Sequence, residues 1–233
     1  IFLMFIDFLD EINYSVATQA HSLQITERYG FNMAKSDIHE PKQKRSIEKK
    51  KHIMETGIEL MIKKGYHRTT TDDIAAKAGV STGIIYRYFN DKHDILIAGL
   101  EFYFQKMLDD HYFSIDQTDS DSIDAFASVL LDRFLSIHTD NWDMHEELEA
   151  MRHSDKEVAA LYDKAEATII MQVTNDLRAH GDSRTNLSER VYAAFHLIEG
   201  YCHMHLRELP PEISLEQMKK VTHDAICDLL KRI

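Results

Sequence analysis

The sequence predicts an all-α protein, and three observations support this fold class. Gly and Pro are scarce, because the 233 residues contain only 8 Gly and 3 Pro, and sheet proteins use both residues in their frequent tight turns. The chain has no G-x-G-x-x-G or G-x-x-x-x-G-K-S/T motif, which argues against a Gly-rich loop that cradles phosphates. Apolar residues instead recur at helical spacing between capping residues.

The first predicted helix covers residues 46–64 and ends before Gly65, a residue suited to closing a helix. Four apolar residues share one face of this helix: Ile47, Met54, Ile58 and Met61. Thr70 and Asp73 then form a capping box, which begins a second, short helix that ends at Ala78.

A turn at residues 79–81 precedes the third predicted helix, which covers residues 82–89. Asn90 and Asp91 cap a fourth helix that extends to about His111. The remaining helices follow from the same apolar spacing. They are predicted over residues 121–138, 142–152, 155–179, 188–207 and 214–232.

Charge is distributed unevenly along these helices. Residues 33–100 contain 13 Lys/Arg and 9 Asp/Glu, whereas residues 101–233 contain 13 Lys/Arg and 26 Asp/Glu. Such asymmetry indicates a basic module joined to an acidic one. The formal charge of the whole chain is −12, so only the basic module is expected to face nucleic acid.

The composition also bears on the surroundings of the protein. Cys202 and Cys227 are too few for a disulfide framework and are expected to be buried thiols. No apolar run approaches the ~20 residues of a membrane span. We therefore expect a cytoplasmic protein that does not associate with a membrane. We interpret residues 1–41 as an N-terminal extension. It is expected to be disordered, or, in its part upstream of Met33, not to belong to the native protein. A short accessory helix is the alternative.

Residues 71–90 match the pattern of a helix-turn-helix position by position. Two short helices meet at a steep angle in such a unit, and the turn between them often contains Gly. Ala75 occupies the place where the helices come closest, and Gly79 the place where the turn can need a positive φ. The inward-facing places are occupied by Ile74, Ala78, Val80, Ile85 and Tyr88. An ordinary pair of packed helices is the alternative.

The segment from Thr69 to Leu96 resembles the DNA-binding domain of the TetR family of transcriptional repressors. The pattern Gly-Val-Ser-x-Gly-x-x-Tyr-x-Tyr-Phe-x-x-Lys at residues 79–92 carries this resemblance. The resemblance implies a helix-turn-helix DNA-binding domain at residues 42–92. It implies a larger helical effector-binding and dimerisation domain at residues 93–233.

The resemblance also implies a function. We expect a dimeric repressor that a small molecule releases from a near-palindromic operator in double-stranded DNA. The two reading heads of such a dimer lie about one DNA turn, ~34–36 Å, apart. We expect no enzymatic activity, no cofactor and no bound metal. The alternatives are a regulator that responds to metal or redox state through His/Glu or Cys groups, and a helical protein that does not bind DNA.

The second helix of a helix-turn-helix lies in the major groove, with its N-terminal residues near base edges. Arg87 is one turn further on and could reach a base or a phosphate, and tyrosine hydroxyls can donate to phosphate. For Tyr88, a packing role is the alternative. The predicted DNA-binding residues are Lys44, Arg45, Thr70, Thr71, Ser81, Thr82, Gly83, Tyr86, Arg87, Tyr88 and Lys92.

Two of these predictions depend on charge. Lys92 lies in the first turn of a helix, where the macrodipole disfavours a cation, and a DNA phosphate at that position would offset the penalty. The family resemblance implies such a phosphate contact; a solvated lysine is the alternative. Lys42, Lys44 and Arg45 form a basic arm that could enter an adjacent groove or track phosphates.

The resemblance further implies that the last two helices form the dimer interface as part of a four-helix bundle. The expected interface residues are Val191, Ala194, Phe195, Ile198, Cys202, Val221, Ala225, Ile226 and Leu229. An effector pocket is expected between the helices, mostly apolar with a few polar groups. Its candidate lining residues, for each of which a plain core position is the favoured alternative, are Phe126, Phe134, Trp142, Met144, Tyr162, Met171 and Tyr201.

Two helix faces combine His and Glu. One carries His145, Glu149 and His153, and the other carries His196, Glu199 and His203. Such faces could bind a divalent metal, but solvated polar residues that coincide at helical spacing are the favoured interpretation. The chain has no H-E-x-x-H motif, so nothing indicates a metallohydrolase.

Overall fold

The computed structural model describes residues 44–109, 113, 122–139, 142–205 and 207–231. All regular secondary structure within these residues is α-helical, which confirms the predicted all-α fold class. The interpretation of residues 1–41 and of Met33 falls outside the described residues and stays a prediction, as does the role of Lys42.

Nine helices occur in the described part of the chain. They are α1 Lys44–Lys64, α2 Thr71–Ala78, α3 Thr82–Ile85, α4 Lys92–Asp109, α5 Ile123–Thr139, α6 Trp142–Arg152, α7 Lys156–Ala179, α8 Leu187–His205 and α9 Leu215–Leu230. With one exception, α3, these bounds agree with the predicted helices to within about two residues wherever a boundary was predicted.

The chain divides into two compact units, one that ends at Leu96 and one that begins at Ile97. The boundary therefore lies within α4, a few residues after the predicted division at residue 92. The functions assigned to the two parts stay predictions at this stage.

The first unit has the local features that the sequence predicts. Thr70 and Asp73 form the capping box at the start of α2: the Asp73 N–H donates to the Thr70 hydroxyl, and the Thr70 N–H donates to the Asp73 carboxylate, both at 3.1 Å. Hydrogen bonds from Thr70 lower the pKa of the Asp73 carboxyl. Gly65 and Gly79 adopt φ values of 84° and 65°, which a side chain would disfavour.

Two predicted details of this unit are wrong. The third helix was expected to reach residue 89, but α3 ends at Ile85. Residues 86–88 form a turn instead, in which the N–H groups of Tyr88 and Phe89 both donate to the Ile85 carbonyl, at 2.8 and 3.0 Å. Ile47 is 47% exposed, because the buried face of α1 begins only at Ile53.

The core of the first unit brings α1 unusually close to α4. A Cβ atom placed on Gly57 of α1 would lie 2.5 Å from the Ile95 Cγ2 atom of α4. Real Cβ atoms essentially never approach so closely, so only Gly fits here. Ile53, Ile74 and Ile95 are completely buried around this contact region.

The second unit is a helical bundle in which α8 packs against α5, α7 and α9. Its core includes the fully buried side chains of Leu131, Leu187, Ile198 and Tyr201. The helix α6 packs against α7. None of the helices in the described ranges is long and apolar enough to cross a bilayer.

One arginine closes the end of α9. The Arg184 guanidinium donates to the carbonyls of Leu229, Leu230 and Lys231 at 2.8–3.2 Å. These are carbonyls for which the last turn of a helix has no partner of its own. Asp182, which is 5% exposed, balances the charge through hydrogen bonds with the same guanidinium.

Candidate nucleic-acid interface

The turn between α2 and α3 has the geometry of a helix-turn-helix. The Val80 N–H donates to the Ala75 carbonyl at 3.0 Å across the left-handed residue Gly79. Four of the five predicted inward-facing residues, Ile74, Ala78, Ile85 and Tyr88, are buried, and so is Ala75. Val80 is half-buried. The two short helices are thus fixed by their apolar sides.

The opposite side of this unit is accessible. Ser81 and Gly83 are exposed at the start of α3, and Thr82 is half-buried. Ser81 makes no capping hydrogen bond with its side chain. Tyr86, 53% exposed, and the exposed Arg87 follow directly after the helix. We call these five residues the reading surface. The sequence predicts that they lie near DNA bases and phosphates.

Two hydrogen bonds link the reading surface to α2. The Thr82 hydroxyl donates to the Asp72 carboxylate at 2.7 Å. The hydroxyls of Thr71 and Tyr86 lie 3.4 Å apart. Asp72 is not among the DNA-binding residues predicted from the sequence. Its position in the first turn of α2, beside the start of the next helix, is the signal that could have indicated a role at this surface.

Tyr88 has a packing role. Its side chain is 6% exposed, and its hydroxyl lies 2.8 Å from the Ser46 hydroxyl on α1. The alternative interpretation of this tyrosine therefore describes it better than the expected phosphate contact, because a side chain buried to this extent has little surface to offer DNA.

Lys92 is neither solvated nor free. Its ammonium group donates to the carbonyls of Tyr66, His67 and Thr69 at 2.7, 3.3 and 3.0 Å. It also lies 4.3 Å from the centre of the Tyr66 ring, a favourable cation–π distance. Because an ammonium group has three donors, these carbonyls use all of them. Lys92 ties the start of α4 to the loop that precedes α2, and a phosphate would have to replace one of these bonds.

The remaining predicted contacts lie at the start of α1 and α2. Lys44 and Arg45 are exposed in the first turn of α1. Thr70 is exposed, but its hydroxyl also serves the capping box. Thr71 is half-buried. These positions stay predictions for contacts with the DNA backbone.

The model of the family "Bacterial regulatory proteins, tetR family" matches residues 53–98, which include α2, α3 and the second half of α1. At residues 53–98 this chain is therefore similar to the tetR family of bacterial regulatory proteins. The HTH-type transcriptional regulator HbdR of Aromatoleum sp. (strain CIB) is 43% identical over 68 residues. That alignment covers 29% of this chain and 28% of HbdR.

The chain spans less than a third of the length of the first curated relatives that it matches. Solved structures extend the similarity of fold to most of the chain. A TetR-family regulator from Mesorhizobium loti has a TM-score of 0.65 at 16% identity, over 81% of this chain and 98% of that chain. A transcriptional regulator from Saccharomonospora viridis, in complex with choline, has a TM-score of 0.57 at 21% identity, over 77% and 96% of the two chains.

The predicted effector-pocket residues are distributed over the second unit. Phe134 lines a small internal cavity of about 20 Å³. Met171, 49% exposed, lines an open groove of about 430 Å³ between α7 and α8. Phe126 and Tyr201 are core residues, Met144 is buried, and Trp142 and Tyr162 are half-buried. Phe134 and Met171 thus line two different cavities, and the assignment of the effector pocket stays a prediction.

The residues predicted for the dimer interface differ in how exposed they are within this chain, and the interface itself stays a prediction. Five of them, Val191, Ala194, Ile198, Cys202 and Ile226, are at most 4% exposed within this chain and belong to its own core. They have almost no area to offer a second chain. Phe195, Ala225 and Leu229 are half-buried. Val221 is 61% exposed, and the sequence analysis overlooked the exposed apolar side chains of Tyr192 and Leu197 on α8.

The two predicted His/Glu faces do not form as units. His153 is exposed, and the His196 imidazole lies 3.4 Å from the Glu166 carboxylate. His145 and His203, one from each face, lie beside His138 of α5. The sequence analysis did not select His138, because its helix shows no His/Glu spacing.

Proposed function

We propose that this chain is a dimeric transcriptional repressor that responds to a small molecule. It binds a near-palindromic operator through the reading surface and is released from it when an effector binds the second unit. The observation that carries the proposal is the reading surface itself: Ser81, Gly83, Tyr86 and Arg87 are exposed and Thr82 is half-buried, on a helix-turn-helix whose opposite side is buried. A rigid unit with accessible polar side chains is what major-groove recognition requires.

Direct recognition of bases is assigned to the start of α3. Hydroxyl groups at Ser81 and Thr82 can donate to or accept from base edges, and Gly83 has no side chain to keep the backbone away from the groove. The Arg87 guanidinium can donate two hydrogen bonds to a guanine base, or it can bind a phosphate. Lys44, Arg45, Thr70, Thr71 and Tyr86 are assigned to the DNA backbone, where contacts position the protein without reading sequence.

The dimer is assigned to α8 and α9. Tyr192 and Leu197 on α8 and Val221 on α9 are between 41% and 61% exposed, and large exposed apolar side chains of this kind mark interaction surfaces when they lie together. A two-fold dimer would repeat the same contacts in both directions. It would present two reading surfaces to the two halves of the operator.

The effector is assigned to the interior of the second unit. The similar regulator from Saccharomonospora viridis holds choline, which supports small-molecule binding by a bundle of this architecture. The cavity beside Phe134, about 20 Å³, has room for roughly one water molecule. An effector would therefore select a conformation in which the helices around this cavity are further apart, and its differential affinity for that conformation would set the extent of release.

Selection of bound sites from a random pool of double-stranded DNA tests the proposal directly. We expect a two-fold symmetric consensus and binding that weakens steeply as salt rises. Arg87→Ala should lower the affinity for the consensus about 10-fold, in line with ~1–3 kcal/mol per base-reading contact. Tyr86→Ala, which removes a contact with the DNA backbone, should weaken binding to all sequences alike.

Lys156→Ala is the matched control, because Lys156 is an exposed cation at the start of α7 in the second unit. Its removal changes the net charge by the same amount as the Arg87 substitution but should leave the affinity unchanged. The proposal would be refuted by a selection that yields no consensus, or by equal losses for Lys156→Ala and Arg87→Ala.

A further inference from the structure

Three histidines from three helices meet in the second unit. They are His138 at the end of α5, His145 in α6 and His203 near the end of α8. One potential ligand nitrogen from each lies within 4.8 Å of the others. Their ring centres are 4.4–5.3 Å apart. We call this group the histidine cluster.

Glu199 supplies a fourth donor. Its Oε2 atom lies 3.3 Å from His138 Nε2 and 3.9 Å from His203 Nε2. Glu199 and His203 are on the same face of α8, one turn apart. Three imidazole nitrogens and one carboxylate oxygen form a donor set that suits zinc and other divalent first-row transition metals.

The hydrogen bonds around the cluster favour a ligand role for His138. Its Nδ1 atom is 2.7 Å from the Phe134 carbonyl, so Nδ1 carries the hydrogen and Nε2 is the nitrogen turned toward Glu199. A backbone carbonyl that fixes the tautomer in this way is the usual partner of a metal-bound histidine. His138 is only 3% exposed, which holds the ring in place.

His145 contributes an unused nitrogen. Its Nε2 atom is buried and has no hydrogen-bond partner among the described residues. A buried polar atom without a partner costs about 1–3 kcal/mol, and a metal ion would satisfy it. Because His145 and His203 are only half-buried, an ion could enter from the surface.

We infer that His138, His145, His203 and Glu199 bind one divalent transition-metal ion of the zinc class. Metal–nitrogen bonds of ~2.0–2.1 Å in tetrahedral geometry place neighbouring ligand atoms about 3.3 Å apart. The separations of 3.3 and 3.9 Å between Glu199 and two of the imidazoles are close to this value. The wider separations within the cluster require rotation of the half-buried imidazoles toward the ion.

The only tryptophan of the chain provides a local probe. Trp142 lies 5.8 Å from the His145 ring and 6.2 Å from the His203 ring. The full chain, without a histidine tag, is treated with EDTA, dialysed and titrated with Zn²⁺ or Co²⁺. We expect Trp142 fluorescence to change with both ions and to saturate near one ion per chain, with elemental analysis confirming the retained zinc.

Variants identify the ligands. His145→Ala and Glu199→Gln should each weaken Zn²⁺ binding by at least about 10-fold, the smallest loss expected even for a group that only supports a ligand. His153→Ala and His196→Ala are the controls, because these exposed histidines are near the cluster in sequence but lie outside it. Circular dichroism establishes that each variant keeps its helices.

A second group of residues, Asp124, His223 and Cys227, also has metal-ligating side chains near one another. His223→Ala therefore forms a further arm of the experiment and should leave the stoichiometric site unchanged. The inference is overturned if EDTA-treated wild-type protein retains no zinc after titration with Zn²⁺ and renewed dialysis, or if His145→Ala binds zinc as tightly as wild type. It is also overturned if His223→Ala, rather than His145→Ala, removes the site. All these readouts are independent of DNA binding.

Discussion

The Thr82 hydroxyl on α3 donates its hydrogen to the Asp72 carboxylate on α2, and the two oxygens are 2.7 Å apart. With its hydrogen used in this way, the hydroxyl can only accept further hydrogen bonds. Asp72 is exposed beside it. In the proposed complex, the Asp72 carboxylate would therefore determine which hydrogen-bonding role Thr82 has at a base edge.

Replacing either partner should change which bases are selected. In Thr82→Ala, we expect one position of each half-site to lose its preference, with a discrimination loss of about 1–3 kcal/mol. In Asp72→Ala, the freed hydroxyl can donate, so the preferred base at that position should change. The wild-type pool and both variant pools are compared by sequencing. Unchanged consensus sequences in both variants would contradict the assignment.

The contacts of Lys92 predict a loss of folding stability. Lys92→Met removes three hydrogen bonds to the carbonyls of Tyr66, His67 and Thr69, and we expect the free energy of unfolding to fall by about 2 kcal/mol. Urea denaturation measures this change without DNA. Lys49→Met is the control, because Lys49 is exposed on α1, and it should be close to neutral. If Lys92→Met and wild type were equally stable, these hydrogen bonds would not stabilise the fold, and contact with DNA would be the remaining role for Lys92.

Two glycines within helices should respond in opposite ways to alanine. Gly57→Ala places a Cβ atom 2.5 Å from Ile95 Cγ2, and such overpacking costs about 1–3 kcal/mol. At Gly200, the added Cβ atom meets nothing within 4 Å, so alanine should stabilise α8 by about 0.5–1 kcal/mol. Thermal and urea unfolding of both variants test the difference. A stabilising Gly57→Ala substitution would show that α1 and α4 can separate without cost.

The arginine at the end of α9 predicts a further stability effect. Arg184→Ala leaves the carbonyls at residues 229–231 and the buried Asp182 carboxylate without this partner, so we expect a loss of about 2–4 kcal/mol. Arg184→Lys should recover only part of it, since an ammonium lacks the planar fork of the guanidinium. Arg178→Ala, an exposed change in α7, serves as the control. Full stability in Arg184→Ala would refute the role of this arginine.

The Asp73 cap predicts a dependence on pH. Hydrogen bonds from Thr70 lower the pKa of Asp73 in the folded protein, so its contribution is fully present above the unfolded-state pKa of about 3.9. The contribution is lost as pH falls through the lower folded-state pKa. Asp73→Ala should therefore narrow the stability difference between pH 6 and pH 2 relative to wild type. Identical pH profiles of the two proteins would contradict this role.

The sequence predicts best those features that depend on neighbours along the chain. The capping box of Thr70 and Asp73 and the positive φ of Gly79 are local, and both occur as expected. The shorter α3 was missed because the residues after Ile85 suit a helix locally, and only the tertiary packing of Tyr88 against α1 favours the turn.

Features that join distant segments were not predictable in the same way. The apolar spacing on α8 is correct, but spacing alone cannot distinguish a face that packs inside the chain from one that packs against a partner. Val191 and Ile198 are therefore core residues although they were expected at an interface. The histidine cluster joins positions 138, 145 and 203, and no helical spacing relates the first of these to the last.

The small size of α3 has a consequence for how such a protein can change its target. The helix has four residues, and the buried side chain among them is that of Ile85. Gly83 within the helix, and Ser81 and Arg87 beside it, are exposed. Substitutions at exposed positions usually alter stability by no more than about 0.5 kcal/mol. The side chains that we propose to read a DNA sequence can thus be exchanged almost independently of those that maintain the fold, so a few surface mutations would be enough to change the operator that is preferred.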